Sequence, residues 1–203
     1  MSDNPPSQYE LFKQQGEEAL DNGNFEKAIA IYQQAIEAEP ENPDPYVDLG
    51  NVYRISARLD EAEYWHRQAL TIDPDYWRPH HNLGDIKIGR GQFEESIPYL
   101  KKALETSPES YVSLVCLGHA YSVLKRHQDA VKCLEKAIGI NPSGFLANFQ
   151  LAGDYARQKQ WDNTSVGLKN QSGQEFSRKA KRRFVNQRLE SAEGGYYLAG
   201  DAA

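Results

Sequence analysis

Apolar residues recur three and four positions apart along most of the chain. The segments FEKAIAIYQQAI, LDEAEYWHRQAL, FEESIPYLKKAL and HQDAVKCLEKAI show this pattern most clearly. Each segment places apolar side chains on one face of a helix and charged side chains on the other. Another segment of helical character precedes each of them, and a proline follows. The pattern therefore predicts pairs of amphipathic helices separated by turns.

The predicted helix pairs repeat every 34 residues. The stretch YVDLGNVY, at 46–53, recurs as HHNLGDIK, LVCLGHAY and NFQLAGDY, and a weaker copy, FKQQGEEA, comes before it. Small residues and prolines keep the same step, namely Ala28, Ala62, Ser96 and Ala130, and Pro40, Pro74, Pro108 and Pro142. A fixed period of this length indicates an architecture of stacked, similar units.

One glycine in each repeat lies inside a predicted helix. Glycine in a helix interior costs about 1 kcal/mol relative to alanine, so a gain in packing has to offset this loss. We expect these glycines where the two helices of a repeat cross, because a missing side chain lets two backbones approach closely. They are Gly16, Gly50, Gly84 and Gly118, and we expect them to face Ala28, Ala62, Ser96 and Ala130.

The leucine-glycine pair, the tyrosine that follows it, the alanines and the closing proline resemble the tetratricopeptide repeat family over about residues 9–161. The resemblance implies an all-α, right-handed superhelical solenoid of antiparallel helix hairpins. It implies four full repeats, at 9–42, 43–76, 77–110 and 111–144, and a further first helix at 145–157. It also implies a protein or peptide ligand, because the family is used mainly for protein binding.

In a stack of this kind, the first helix of each repeat lines the concave surface. The inner positions change from acidic and polar in the first repeats to apolar in the last ones. We therefore expect a peptide ligand with polar or basic groups toward the first repeats and a bulky apolar residue near Phe149. Val47 and Val115 fall at the same inner offsets. The candidate partner-binding residues are Lys13, Asp48, Asn51, Arg54, Arg78, His81, Asn82, Asp85, His119, Phe149 and Arg157.

Two narrower ligand types stay open. The series Gln14, Asp48, Asn82, Cys116 and Gln150 is similar to the asparagine ladder of superhelical relatives attached to glycosyltransferases. Amides there could bind a peptide backbone, although only Asn82 matches the ladder strictly and exposed polar residues on a solvated face are the simpler explanation of the series. Lys13, Arg78 and Asn82 partly resemble a clamp for a terminal carboxylate, but Glu17 and Asp48 would repel one.

The charge distribution adds one feature near the end of the chain. The net charge of -6 gives no general basis for binding nucleic acid or anionic membranes. Residues 175–190 nevertheless hold six basic residues against two acidic ones, and Phe176, Ala180 and Phe184 form an apolar stripe. We predict a basic helix there, between a connector at 162–174 and a flexible tail at 191–203, and a flexible start at 1–8. The basic residues are Arg178, Lys179, Lys181, Arg182, Arg183 and Arg188.

This basic helix has two interpretations. In the first, it would cover the apolar face of the last repeat, because the terminal repeat of a stack is otherwise exposed to water on one side. Alternatively, it would contact an acidic protein, nucleic acid or a membrane surface.

Motifs for catalysis or cofactor binding are absent from the sequence, including nucleophile-elbow, zinc-protease, paired-cysteine, phosphate-loop and dinucleotide patterns. His81, Asp85 and His119 could converge on a metal ion, but any polar groove produces such sets, and we assign no metal site. Cys116 and Cys133 suit a reducing compartment, and no secretory signal or membrane-spanning stretch is present. We therefore expect a cytoplasmic protein without a cofactor.

We predict a non-catalytic scaffold or adaptor, for example a chaperone cofactor or an assembly factor, and not an enzyme. A small-molecule substrate is not expected. The alternative is an accessory subunit that recruits the substrate of an enzyme. An uncapped fifth repeat would also allow copies of the chain to stack end to end.

Overall fold

The computed structural model describes residues 7–157, and all regular secondary structure within that range is α-helical. The helices of this range are α1 (Gln8–Asp21), α2 (Phe25–Ala38), α3 (Asp44–Ile55), α4 (Leu59–Ile72), α5 (Trp77–Gly89), α6 (Phe93–Thr106), α7 (Tyr111–Val123), α8 (His127–Ile140) and α9 (Phe145–Arg157). From α1 to α6 each helix packs against the next one, and α8 packs against α9. Because only short turns connect them, neighbouring helices run antiparallel.

The chain divides between Cys116 and Leu117 into two compact units. The first unit holds α1 to α6 and the beginning of α7. The second unit holds the rest of α7 together with α8 and α9. None of the helices within residues 7–157 combines the length and the apolar character that a membrane crossing requires.

Some of the sequence predictions concern residues outside this range. The predicted connector at 162–174, the basic helix at 175–190 and the tail at 191–203 all lie outside the described residues, as do residues 1–6 of the predicted flexible start.

The turn between the two helices of each hairpin has the same backbone conformation four times. One residue in each turn has a positive φ, between 58° and 73°, and these residues are Gly23, Ala57, Gly91 and Lys125. The next amide donates a hydrogen bond back to the preceding helix, for example from Arg58 N to Tyr53 O at 2.8 Å. This is the usual way in which a left-handed residue ends a helix, and glycine adopts it at the lowest cost.

Ala57→Gly should therefore stabilise the protein, although Ala57 is exposed. A left-handed conformation costs a residue with a Cβ about 1–2 kcal/mol, while glycine has a larger entropy loss on folding. We expect the free energy of unfolding to rise by about 0.5–1 kcal/mol in urea denaturation.

Ala30→Gly is the matched control, because Ala30 is exposed within α2. It should lower the free energy of unfolding by about 1 kcal/mol. Equal destabilisation by both changes would show that the conformation of Ala57 is not strained.

The glycines inside the first helices lie at helix crossings, but the side chains that they face differ from the prediction. A Cβ on Gly16 would lie 2.5 Å from the Tyr32 ring, and a Cβ on Gly50 would lie 2.6 Å from His66. The corresponding neighbour of Gly84 is Leu100, and that of Gly118 is Leu134. Each glycine therefore makes room for a larger side chain that lies one helical turn beyond the small residue.

The predicted small partners are still part of the core. Ala62 and Ala130 are fully buried, and the third and fourth glycines approach the backbone carbonyls of Ser96 and Ala130. The small residue thus allows the two backbones to come close, and the glycine accommodates the side chain that crosses between them. Pro74, Pro108 and Pro142 are exposed and follow the ends of α4, α6 and α8.

Candidate functional site

In the first unit, polar side chains of α3 and α5 pair with one another across the two helices. The Asn82 side-chain amide donates a hydrogen bond to the Asn51 carbonyl oxygen, at 2.9 Å from Nδ2 to Oδ1. One turn further on, Arg54 Nη1 lies 3.4 Å from Asp85 Oδ2. The side chains of this ion pair remain 38% and 37% exposed, so a ligand can reach both of them. Four of the predicted residues therefore form one half-exposed polar surface.

A second cluster of polar side chains surrounds the predicted residue Arg78 at the beginning of α5. The Arg78 guanidinium donates to Asp44 at 3.1 Å and to Asp48 at 3.2 Å, and these carboxylates are one turn apart on α3. The Tyr76 hydroxyl also hydrogen-bonds to Asp44, and the Tyr9 hydroxyl donates to Asp48 Oδ2 at 2.6 Å. These bonds tie the starts of α1, α3 and α5 together.

Asp48 is only 8% exposed, so its carboxylate belongs to the packed interior and not to an open surface. Burial raises the pKa of the Asp48 carboxyl above its usual value, while the Tyr9 hydrogen bond and the charges of Arg78 and Lys13 limit the rise. Lys13 is half-buried on α1, near enough to take part in this balance of charge. The structure thus brings Lys13, Asp48 and Arg78 together in one electrostatic cluster.

His81 and Cys116 contribute neutral groups to the same side of the first unit. Burial lowers the pKa of His81, and its Nδ1 lies 3.2 Å from the Ser113 hydroxyl oxygen. Burial raises the pKa of the Cys116 thiol to about 12, with a further contribution from Asp85. A thiol with this pKa stays protonated at neutral pH and is a poor nucleophile. Both residues can therefore donate or accept hydrogen bonds without carrying charge.

The remaining predicted residues lie in the second unit. His119 is half-buried on α7. Phe149 is half-buried on α9 and stacks on Phe145, with ring centroids 5.8 Å apart and ring planes 12° apart. Arg157 is the last residue of α9, and the prediction for its side chain lies outside the described residues.

Two positions that were expected on the inner surface are part of the core. Val47 is fully buried, because α3 packs against both α2 and α4, and Val115 is 5% exposed. Tyr9, Tyr76 and Ser113 were missed by the sequence reasoning. The sequence gave only a weak indication that these three residues belong to the site, because tyrosine and serine occur near helix starts for many other reasons. Asp44 and Asp48, one turn apart on α3, indicate the cluster more clearly, because two adjacent carboxylates require a positive charge nearby.

Within residues 7–157, no group of three or more histidine, cysteine, aspartate or glutamate side chains is arranged to hold a metal ion. The groups that this surface presents are amides, an imidazole, a hydroxyl and charged side chains, which form hydrogen bonds and ion pairs.

Two family models, both described as tetratricopeptide repeat, match the chain, one over residues 13–76 and the other over 78–110 and 113–143. A comparison with curated protein sequences gives no significant match. The repeat that was predicted from the glycine spacing is thus confirmed by an independent comparison.

Several solved structures have the same fold. PilW, described as a widely conserved type IV pilus biogenesis factor, is 21% identical with a TM-score of 0.72, over 92% of this chain and 80% of PilW. MamA is 20% identical with a TM-score of 0.65, over 90% of this chain and 96% of MamA. YrrB, described as a TPR protein with an unusual peptide-binding site, is 20% identical with a TM-score of 0.59, over 72% and 76% of the two chains. These similarities confirm the predicted all-α solenoid class.

Proposed function

Because the chain belongs to the tetratricopeptide repeat family, we propose that it is a non-catalytic scaffold or adaptor that binds an extended peptide segment of a partner protein. The first unit supplies the binding surface, formed by the half-exposed polar side chains of α3 and α5. The site works by holding its ligand and carries out no reaction.

The Asn51–Asn82 pair carries this proposal. Its single hydrogen bond leaves the Asn51 Nδ2 donors and the Asn82 Oδ1 acceptor without a protein partner among residues 7–157. A peptide main chain offers one carbonyl acceptor and one amide donor per residue, which is the complement of these two groups. Recognition of this kind depends on the backbone of the ligand and tolerates many side chains.

The charged residues beside the amide pair add selectivity. Arg54 and Asp85 are half-exposed and already paired, so their charges are balanced and both side chains can still hydrogen-bond to polar groups of a ligand. His81 is neutral and adds a hydrogen-bonding group on the same helix as Asn82. Lys13, Asp48 and Arg78 fix the positions of α1, α3 and α5, and so act on the ligand mainly through the geometry of the surface.

The second unit offers a separate contact for an apolar residue. Phe145 and Leu146 are exposed at the start of α9, and Phe149 lies against Phe145. Aromatic side chains of this kind often supply much of the binding energy at an interface. We include His119 and Arg157 in this proposed contact of the second unit.

The comparisons agree with a binding function of this class. The description of YrrB includes a peptide-binding site, and that of PilW assigns it to the biogenesis of a pilus. More specifically, the scaffold would act in the cytoplasm as an assembly factor or a chaperone cofactor. Recruitment of a substrate to an enzyme is the alternative version, and it would use the same surface.

Asn51→Ala combined with Asn82→Ala should weaken peptide binding by about tenfold to a hundredfold. Each lost hydrogen bond to a ligand costs about 0.5–1.5 kcal/mol, and 1.4 kcal/mol corresponds to a factor of ten. The ligands would be peptides selected from a random display library on the full chain, and their affinities would be measured by fluorescence anisotropy. Phe149→Ala should weaken selected peptides that contain a bulky apolar residue.

Gln33→Ala with Gln34→Ala is the matched control, since it removes two exposed amides from α2. This variant should bind the selected peptides like the original chain. Equal losses in the two double variants, with helicity intact in both, would contradict the proposed site. Failure to select any peptide would contradict the function itself.

A further inference from the structure

A chain of three polar side chains leads from the beginning of α7 to His81 on α5. The Ser110 and Ser113 hydroxyl oxygens lie 2.9 Å apart, and the Ser113 hydroxyl oxygen lies 3.2 Å from His81 Nδ1. Ser113 is fully buried and Ser110 is 8% exposed, so water has little access to either hydroxyl group. All three residues belong to the first unit. The chain therefore joins the packed interior to a residue of the proposed binding surface.

Only one direction of donation along this chain gives every hydroxyl proton an acceptor. The Ser113 backbone amide donates to Ser110 Oγ at 3.4 Å, as an amide does to a serine that caps a helix. When the Ser110 hydroxyl then donates to Ser113, and the Ser113 hydroxyl donates to His81 Nδ1, both protons are used. In the opposite direction, the Ser110 proton has no acceptor within residues 7–157. A buried donor without an acceptor is destabilising, so the first direction is favoured.

This direction decides which ring nitrogen of His81 carries the proton. A neutral imidazole has one protonated nitrogen and one nitrogen that accepts a hydrogen bond. Burial lowers the pKa of His81, so the ring is neutral near neutral pH. Because Nδ1 accepts from Ser113, the proton lies on Nε2. Trp77, one turn earlier on α5, pairs with the imidazole at a ring-centroid distance of 6.3 Å and helps to hold its orientation.

The Nε2 edge of the His81 ring is the edge that a ligand can reach. His81 is half-buried, and its Nδ1 edge faces the fully buried Ser113. Nε2 makes no hydrogen bond within residues 7–157. Asn82 follows directly on α5, and its amide pairs with Asn51. His81 therefore adds one donor to a surface on which Asn51 offers a donor and Asn82 an acceptor.

We propose that Ser113 is a positioning residue that holds His81 with its proton on Nε2, so that His81 donates a hydrogen bond to an oxygen acceptor of the bound peptide. This inference rests on the proposed function and names the ligand group that His81 recognises. The acceptor is a main-chain carbonyl or a side-chain oxygen, since a neutral N–H group can donate to either. A ligand group that can only donate, such as a lysine amine, is disfavoured at this position.

Nitrogen-15 NMR of the ligand-free full chain, labelled at histidine, tests the position of the proton. A protonated and an unprotonated ring nitrogen differ strongly in chemical shift, and the spectrum of His81→Gln assigns the resonances. Near neutral pH we expect the His81 proton on Nε2. Ser113→Ala should shift the Nδ1 resonance, because that nitrogen loses its hydrogen-bond donor. Ser96→Ala is the matched control: it removes another fully buried serine hydroxyl, from α6, and should leave the His81 resonances in place.

The affinity of the selected peptides tests the contact with the ligand. His81→Leu should weaken binding by about twofold to tenfold, the effect of one hydrogen bond. His81→Gln should retain most of the affinity, because its amide nitrogen keeps a donor at a similar distance from the backbone. Replacing each peptide carbonyl oxygen by sulfur, and each oxygen-bearing side chain by alanine, locates the acceptor. One such change should weaken binding to the original chain but not to the His81→Leu chain.

A proton on Nδ1 of His81 would overturn the proposal, and so would an Nδ1 resonance that Ser113→Ala leaves unchanged. Equal affinities of the original chain and His81→Leu would also overturn it. If Asn51→Ala with Asn82→Ala still weakened binding in that case, the proposed function would stand without this contact. If no peptide can be selected, the proposed function and the ligand contact both fail, whereas NMR alone decides the position of the proton.

Discussion

Gly84→Ala should lower the free energy of unfolding by up to about 2 kcal/mol, even though alanine is the better helix former. A Cβ at this position would lie 2.6 Å from Leu100 Cγ and 2.9 Å from Leu100 Cδ2. Leu100 is fully buried, and its Cγ is a branch point close to its own backbone, so it cannot swing away easily. Overpacking of this kind costs about 1–3 kcal/mol, and the gain in helix propensity offsets about 1 kcal/mol of it. Urea denaturation should show a lower midpoint with an unchanged slope.

Gly89→Ala is the matched control on the same helix, because no atom lies within 4 Å of the Cβ that it would add. It should leave the protein unchanged or stabilise it by up to about 1 kcal/mol. A double-mutant cycle gives a second test: Leu100→Ala should cost less in the Gly84→Ala protein than in the original one. Stabilisation by Gly84→Ala would mean that the glycine is not there for packing.

The glycine series shows how far the sequence could predict the fold. Periodic apolar residues and prolines at a fixed spacing indicate helix pairs, because both depend on local backbone preferences and on one repeated unit. The side chain opposite each glycine could not be inferred from these signals. Tyr32, His66, Leu100 and Leu134 occupy equivalent positions, but tyrosine, histidine and leucine differ in size and polarity, and only the packed helices show their common role.

The candidate site had a similar limit. Counting positions along the repeat gave Asn51, Arg54 and Asp85 on the inner face, and Asn82 in the series of possible backbone-binding amides. Which of them pair with each other depends on the register between neighbouring helices and on side-chain rotamers, neither of which has a local sequence signal. The sequence therefore pointed to a polar surface but could not show that its charges are already balanced, a property that favours hydrogen-bonding ligands over strongly charged ones.

His66→Leu should stabilise the protein, and the effect should grow as the pH falls. His66 is fully buried, and neither ring nitrogen has a hydrogen-bond partner within residues 7–157, while the equivalent residues Leu100 and Leu134 are apolar. An unpaired buried polar group costs about 1–3 kcal/mol, which sets the gain expected at pH 7.5. Burial lowers the pKa of His66 to about 3, with smaller contributions from the charges of Arg54, Arg78 and His81.

The sign of the pH dependence follows from this lowered pKa. Between about pH 6.5 and pH 3 the unfolded chain binds a proton at His66 that the folded chain does not, so the original protein loses stability as the pH falls. The loss approaches about 1.4 kcal/mol per pH unit, and the leucine variant lacks it, so the difference between the two proteins should be about 2 kcal/mol larger at pH 5 than at pH 7.5. Asp48, with its raised pKa, acts in the opposite direction, but it is present in both proteins and cancels in the comparison.

Urea denaturation of both proteins at the two pH values measures this difference directly. Leu100→His is the reciprocal change, and it should introduce into the third hairpin the same loss of stability at low pH that His66→Leu removes from the second. A difference between the original protein and His66→Leu that stays constant from pH 7.5 to pH 5 would show that His66 is protonated in the folded state. The imidazole would then have a hydrogen-bonding environment, and the space above Gly50 would not be the apolar one that the neighbouring repeats provide.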